Sequence, residues 1–140
     1  MEEVGQKVTP EMIWDIGAFQ DEVSLAERFK RVEQKLIEWK KTFPKVTALL
    51  AMDDFWAYYI SREARAMGIK VPDELLVTGF DNLRLGQSMG TEFLTTDANF
   101  SLAGEIAVNL LEDQLQGHIK PPVTYILPVP VIKPNTNKHT

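Results

Sequence analysis

A chain of 140 residues that is 44% hydrophobic has material for one core, and it carries a formal charge of −5 with its Lys and Arg scattered. That balance argues against the chain itself gripping a phosphate backbone, and zero cysteines exclude disulfides, thiolate metal sites and a cysteine nucleophile. No apolar run approaches the roughly 18 residues that span a bilayer, and Glu2 and Glu3 stand where a secretory signal would carry basic residues, so a cytoplasmic chain without membrane contact is expected.

In chain order, Met12 to Ile16 reads as a strand after Pro10, and Gly17 to Gln20 as a loop. A long helix follows. Leu25, Phe29, Val32, Leu36, Trp39 and Phe43 recur at four- and three-residue spacing, Ser24 and Glu27 have capping-box spacing, and Pro44 ends the run. Trp14 and Trp39 read as core. The segment from Thr47 to Met52 is a buried-strand pattern ending in the adjacent carboxylates Asp53 and Asp54. Ala57, Ile60, Ala64 and Met67 then mark a second helix. Asp53 or Asp54 is available to cap its first turn, Gly68 suits its end, and Pro72 prevents its return.

Leu75 to Phe80 repeats the acid-tipped pattern, running into Asp81-Asn82 with Gly79 allowing a close turn or backbone approach. Strand, helix, strand implies a parallel right-handed crossover, and ligands of open α/β sheets bind at the carboxyl ends of such strands. A third helix is expected over Ser101 to Gln116, with Leu102, Ile106, Leu110, Ala103, Ala107 and Leu111 making a broad apolar side before Gly117, Pro121 and Pro122. Tyr125 to Ile132 reads as extended. Because Pro128 and Pro130 lack amide donors, that strand must be an edge or interrupted. Residues 1–134 form the expected domain and 135–140 a loose tail.

Catalysis has little support. His118 and His139 sit near loops or the tail, no serine has nucleophile-elbow glycines, no phosphate-binding glycine loop follows a strand, and the acids are not gathered with histidines as metal ligands. No enzyme activity, metal or cofactor is expected. A carboxylate after Gly-Phe at a strand tip, by contrast, can accept bonds from sugar or nucleoside hydroxyls, which makes Asp81 the first candidate contact. Asp53, one residue nearer the strand end than Asp54, is the second, and Asp54 reads as the structural cap.

From Thr47 to Asn82 the sequence TALLAMDDFWAYYISREARAMGIKVPDELLVTGFDN resembles the effector-binding domain of LacI/GalR-family transcription regulators, whose pattern runs strand, N-D-x-x-A, helix, G-x-x-V-P-x-D/E, strand, G-F-D. Leu94-Thr95-Thr96, Ala103-Gly104-Glu105 with Leu110-Leu111, and Ile126-Leu127-Pro128 onward are similar to the family's later elements. Asp53 departs from a usual Asn, Glu92 from a usual Pro and Lys133 from a usual Arg.

The resemblance implies an α/β, parallel-sheet, three-layer lobe of the periplasmic-binding-protein-like type I fold, incomplete because the first lobe and the opening strand and helix would precede Met1. It implies a sugar- or nucleoside-like effector and operator DNA bound only through an N-terminal helix-turn-helix outside this chain, so that the isolated chain should hold neither tightly. It also places Phe19 beside the ligand and gives Tyr58, Ser61, Arg62 and Arg65 a homodimer contact. An uncovered strand edge and apolar third helix should further favour self-association. Two other readings are a lobe of a sugar-binding transport or chemotaxis protein and, from Asp53-Asp54, Asp97 and Lys133-Pro134, a phosphoacceptor receiver domain.

Overall fold

The computed structural model describes residues 8–16, 23–83 and 93–133. Helix α1 (Leu25–Thr42) starts where the sequence places it. Ser24 Oγ accepts from the Glu27 amide at 3.2 Å, and the Phe43 amide closes the last turn on Trp39. Its inward face is Arg28, Val32, Leu36 and Trp39, while Leu25, at the start of the expected stripe, is exposed. The Trp39 indole donates to the Val46 carbonyl at 3.1 Å, which ties the helix end to strand β1 (Ala48–Leu50).

Helix α2 (Asp54–Ala66) packs on α1, with the Phe29 ring edge-on to Tyr59 at 4.9 Å. Gly68 then takes a left-handed φ of +77°, which a residue with a Cβ adopts only with strain, and the chain enters β2 (Leu76–Thr78). Strands β1 and β2 are parallel, with Leu49 opposite Val77. A single parallel bridge from Thr78 to Leu94 leads to β3 (Thr95–Thr96), which pairs antiparallel with β4 (Val131–Ile132). Only this end of the expected Tyr125–Ile132 segment is laddered, beyond the amide-less Pro128 and Pro130.

The core lies between α1, α2 and the sheet: Val32, Leu36, Trp39, Trp56, Ala57, Tyr59, Ile60, Ala64, Ile69, Leu75, Val77 and Phe93, with Trp14 packed at its margin. One expectation changes. Met12 to Ile16 is not a ladder strand among the described residues. Pro10–Met12 is a 3-10 turn, because proline at the first position pre-sets its φ and Met12 and Ile13 bond back to Thr9 and Pro10. Helix α3 (Phe100–Leu115) forms within one residue of the expected range, capped by the Asn99 side chain, and buries no residue, in line with the uncovered apolar face expected of it. The α/β class stands, but a third layer over the sheet is not built from the described residues. None of their helices is long and apolar enough to cross a membrane.

Candidate functional site

Strands β1 and β2 end side by side, so their acid tips converge. The cap of α2 is Asp53, not Asp54: its extended backbone, at φ −149° and ψ 178°, lets Oδ1 accept from the Trp56 amide at 2.9 Å. Asp54 is already the first helical residue and is 1% exposed. Its carboxylate turns across to the neighbouring strand ends, where Oδ1 accepts from the Thr95 hydroxyl at 2.5 Å and Oδ2 from the Leu83 amide at 2.7 Å. Its own amide donates to the Phe80 carbonyl at 3.0 Å. Asp54 is therefore structural, as a cross-link between α2, the loop after β2 and β3.

Gly79 makes that approach possible. A Cβ there would collide with the Asp54 carboxylate and come within 3.1 Å of both Ala57 and Phe93. The loop is held from the other side as well, since the Gly79 and Asp81 amides donate to the Leu94 and Thr96 carbonyls and the Asn82 amide reaches Thr95 Oγ1 at 3.3 Å. A polar chain continues outward from Asn82 Nδ2 to Asp97 Oδ2 at 3.1 Å. Asp97 Oδ1 takes the Asn99 amide, and Asn99 Oδ1 takes the Leu102 amide at the start of α3.

Asp81 stands at the centre of this frame with φ +93°, followed by Asn82 at +50°. A left-handed aspartate is strained backbone, and such outliers concentrate where a side chain must be aimed. Its carboxyl is half-buried, and desolvation first, then the charges of Asp53 and Asp54, push its pKa above the usual carboxylate value. Because the folded state holds the Asp81 proton more tightly than the unfolded chain, stability falls as pH rises from the ordinary aspartate pKa of 3.8 through the raised folded value. Asp81→Asn, which tolerates the same backbone, should accordingly be more stable than the native chain at pH 7. That difference should vanish as pH is lowered below the ordinary aspartate range. Paired urea titrations across pH check this, and a variant no more stable at pH 7 would contradict it.

The other candidates divide. Phe19 lies outside the described residues. Tyr58 is half-buried with its ring 5.5 Å from Tyr59, Arg62 lies over the Phe29 ring at 4.2 Å, and Arg65 donates to the Val71 carbonyl at 3.1 Å. Ser61 does not share their surface, for it is fully buried and follows Asp54 and Ala57 along the stripe of α2 that continues to Ala64. Its place on an exposed contact face is corrected by that spacing. Ser61 Oγ has no hydrogen-bond partner among the described residues, and a buried hydroxyl without one is a desolvation loss. Ser61→Ala should raise unfolding stability by about 1 kcal/mol, to which better helix propensity contributes. A destabilised variant in urea denaturation would show that the hydroxyl has a partner.

Sequence reasoning quoted Thr95 and Asn82 only as parts of a motif and missed their work. Both lie far along the chain from what they bind. Among the described residues no group of three or more His, Cys, Asp or Glu side chains could hold a metal.

Residues 3–134 match the model of the periplasmic binding protein-like domain. The chain belongs to that family. Within it, the xylose operon regulatory protein of Haemophilus influenzae is 31% identical over 107 residues, covering 71% of this chain and 28% of that protein. The ribose operon repressor of Halalkalibacterium halodurans is 26% identical over 109 residues, covering 78% and 32%. A LacI-family transcriptional regulatory protein from Corynebacterium glutamicum superposes with a TM-score of 0.60 at 28% identity, over 77% of this chain and 42% of that one. These are regulators of the kind the central motif resembles, and the chain spans about a third of the length of these curated relatives or less. The receiver-domain reading loses its ground here, since Asp54 is buried under two donors and the family is a binding-protein family.

Proposed function

We propose that this chain supplies part of the effector-sensing domain of a LacI/GalR-type transcription regulator, with a sugar- or nucleoside-like molecule held at the tips of β1 and β2. Asp81 is the main contact and Asp53 the second, while Asp54 sets the frame and stays off the ligand. The observation that carries this reading is the half-buried, left-handed Asp81 carboxylate, crowded by two other acids and fixed by a loop whose backbone is bonded on both sides.

Hydroxyl donors suit that site. A polyol presents several O–H groups to a carboxylate, which accepts two or more and is better stabilised as the anion. Half of such a contact set would come from an opposing lobe outside these 140 residues, and operator DNA would be bound by a helix-turn-helix also outside them. The chain's charge of −5 leaves it poorly suited to that task. Tyr58, Arg62 and Arg65 remain a candidate subunit contact.

The test is a thermal-shift screen of the two-lobed protein containing this chain against pentoses, hexoses and nucleosides. A ligand at 100 times its Kd should stabilise by about 2.7 kcal/mol. Stabilisation by sugars or nucleosides, lost in Asp81→Ala, is the expected result; a set of polyols with no effect would count against the reading.

A further inference from the structure

Asp97 stands where three segments of the described chain meet. Its amide donates to the Pro130 carbonyl at 2.9 Å, extending the pairing of β3 with β4 by one bond. Both oxygens of its carboxylate are in use. Oδ2 accepts from Asn82 Nδ2 at 3.1 Å, 15 residues back in the loop after β2, and Oδ1 accepts from the Asn99 amide at 2.8 Å, where α3 begins. One side chain thus ties the loop that carries Asp81 to the start of a helix.

Both ends of that tie are constrained backbone. Asn82, at φ +50°, follows the left-handed Asp81, and Asn99, at φ +48°, is the left-handed cap of α3. Residues with a Cβ stay in that region where bonds from outside hold them, and Asn82 is held twice. Its amide donates to Thr95 Oγ1 at 3.3 Å and its side chain to Asp97. Alternation along an extended chain puts Thr95 and Asp97 on one face, so Asn82 bridges two neighbouring side chains. What lies behind the two anchors differs. Thr95 leads back to the buried Asp54 and the core, whereas Asp97 leads out to Asn99, whose Oδ1 accepts from the Leu102 amide at 3.3 Å in the first turn of α3.

We propose that Asp97 is a positioning residue through which the placement of the Asp81–Asn82 turn sets the start of α3. Movement of the turn is resisted through Thr95 and passed on through Asp97, whose carboxylate cannot follow Asn82 without shifting the Asn99 amide and the cap built on it. Two donors reach two oxygens at once, which a carboxylate can accept and a carboxamide in the same orientation cannot. That an effector drives the movement rests on the reading of Asp81 as its contact; the tie itself does not.

The test is amide hydrogen exchange at pH 7 in the two-lobed protein containing this chain, with no sugar present. Asn82→Gly suits the left-handed backbone and removes the tie. It should speed exchange of the Asn99 and Leu102 amides about 2- to 30-fold, the range by which changes along a coupled network act at a distance. The amides of Val32 and Leu36 in the core of α1 should keep their native rates, as they would not if the whole fold were loosened. Asn82→Asp should act likewise, because it sets two carboxylates against each other. Adding Asp97→Asn reverses the polarity of the pair: the new amide donates to the new carboxylate, and its carbonyl still takes the Asn99 amide, so exchange should return to the native rate. Native rates at Asn99 and Leu102 in Asn82→Gly would overturn the proposal and leave Asp97 as a local turn before α3. Failure of Asp97→Asn to rescue Asn82→Asp would overturn it too, and that pair decides should Asn82→Gly not fold. An effector whose Kd ignores Asp81→Asn counts against the site reading alone, since the exchange rates are read without one.

Discussion

Asp54→Ala should destabilise the chain by about 3 kcal/mol, because two hydrogen bonds to a charged group are lost at about 1.5–3 kcal/mol each while the carboxylate's own desolvation is relieved. The Thr95 hydroxyl and Leu83 amide would be left without an acceptor, Thr95 in a buried position. Against a typical domain stability of about 5–15 kcal/mol this is a large loss. Asp53→Ala removes one cap bond and should cost only about 0.5–2 kcal/mol. Urea unfolding of both variants measures the order. A double-mutant cycle of Asp54→Ala with Thr95→Val should return a coupling above about 1 kcal/mol, as expected of residues sharing one network. Equal, small losses for the two aspartates would show that Asp54 is no cross-link.

The effect on binding should run the other way. In the two-lobed protein, Asp81→Asn should weaken effector affinity about 10- to 100-fold, since each bond from a ligand hydroxyl falls from charge-assisted to neutral strength and every 1.4 kcal/mol is tenfold. Asp81→Ala should lose at least as much, although its left-handed backbone adds strain that the asparagine variant avoids. Calorimetric titration separates affinity from stability. An effector whose Kd is unchanged by Asp81→Asn, while Asp54→Asn destroys binding in a folded protein, would exchange the roles assigned to the two residues.

Local physics made much of this structure legible in advance. The Ser24 cap, the 3.6-residue periodicity of α1 and α2, Gly68 and the two acid-tipped strands are encoded within a few residues of one another and fold as read. Met12 to Ile16 misled because a short apolar run after a proline resembles a strand, whereas Pro10 and two short-range bonds decide for a turn over Pro10–Met12. Asp53 and Asp54 were not separable as caps from spacing alone, since either carboxylate is near the first turn. What divides them is the bond from Thr95, 41 residues downstream, together with the missing Cβ of Gly79. Ser61 was open to better reading, because its spacing from Ala57 matches that of the buried stripe. The uncovered face of α3 was anticipated only through the family resemblance, because an apolar helix face in a sequence does not by itself say what it packs against.

The claim that Asp81 holds the effector is tested most directly by the side-chain carboxyl carbon resonance of Asp81, followed through a pH titration of the two-lobed protein with and without a sugar that binds. Without ligand the resonance should titrate above the ordinary aspartate pKa of 3.8, in keeping with its partial desolvation and acid-crowded surroundings. With ligand it should shift and titrate at lower pH, because hydroxyl donors favour the anion. A saturating sugar that leaves the Asp81 resonance and its titration unmoved would place the effector elsewhere.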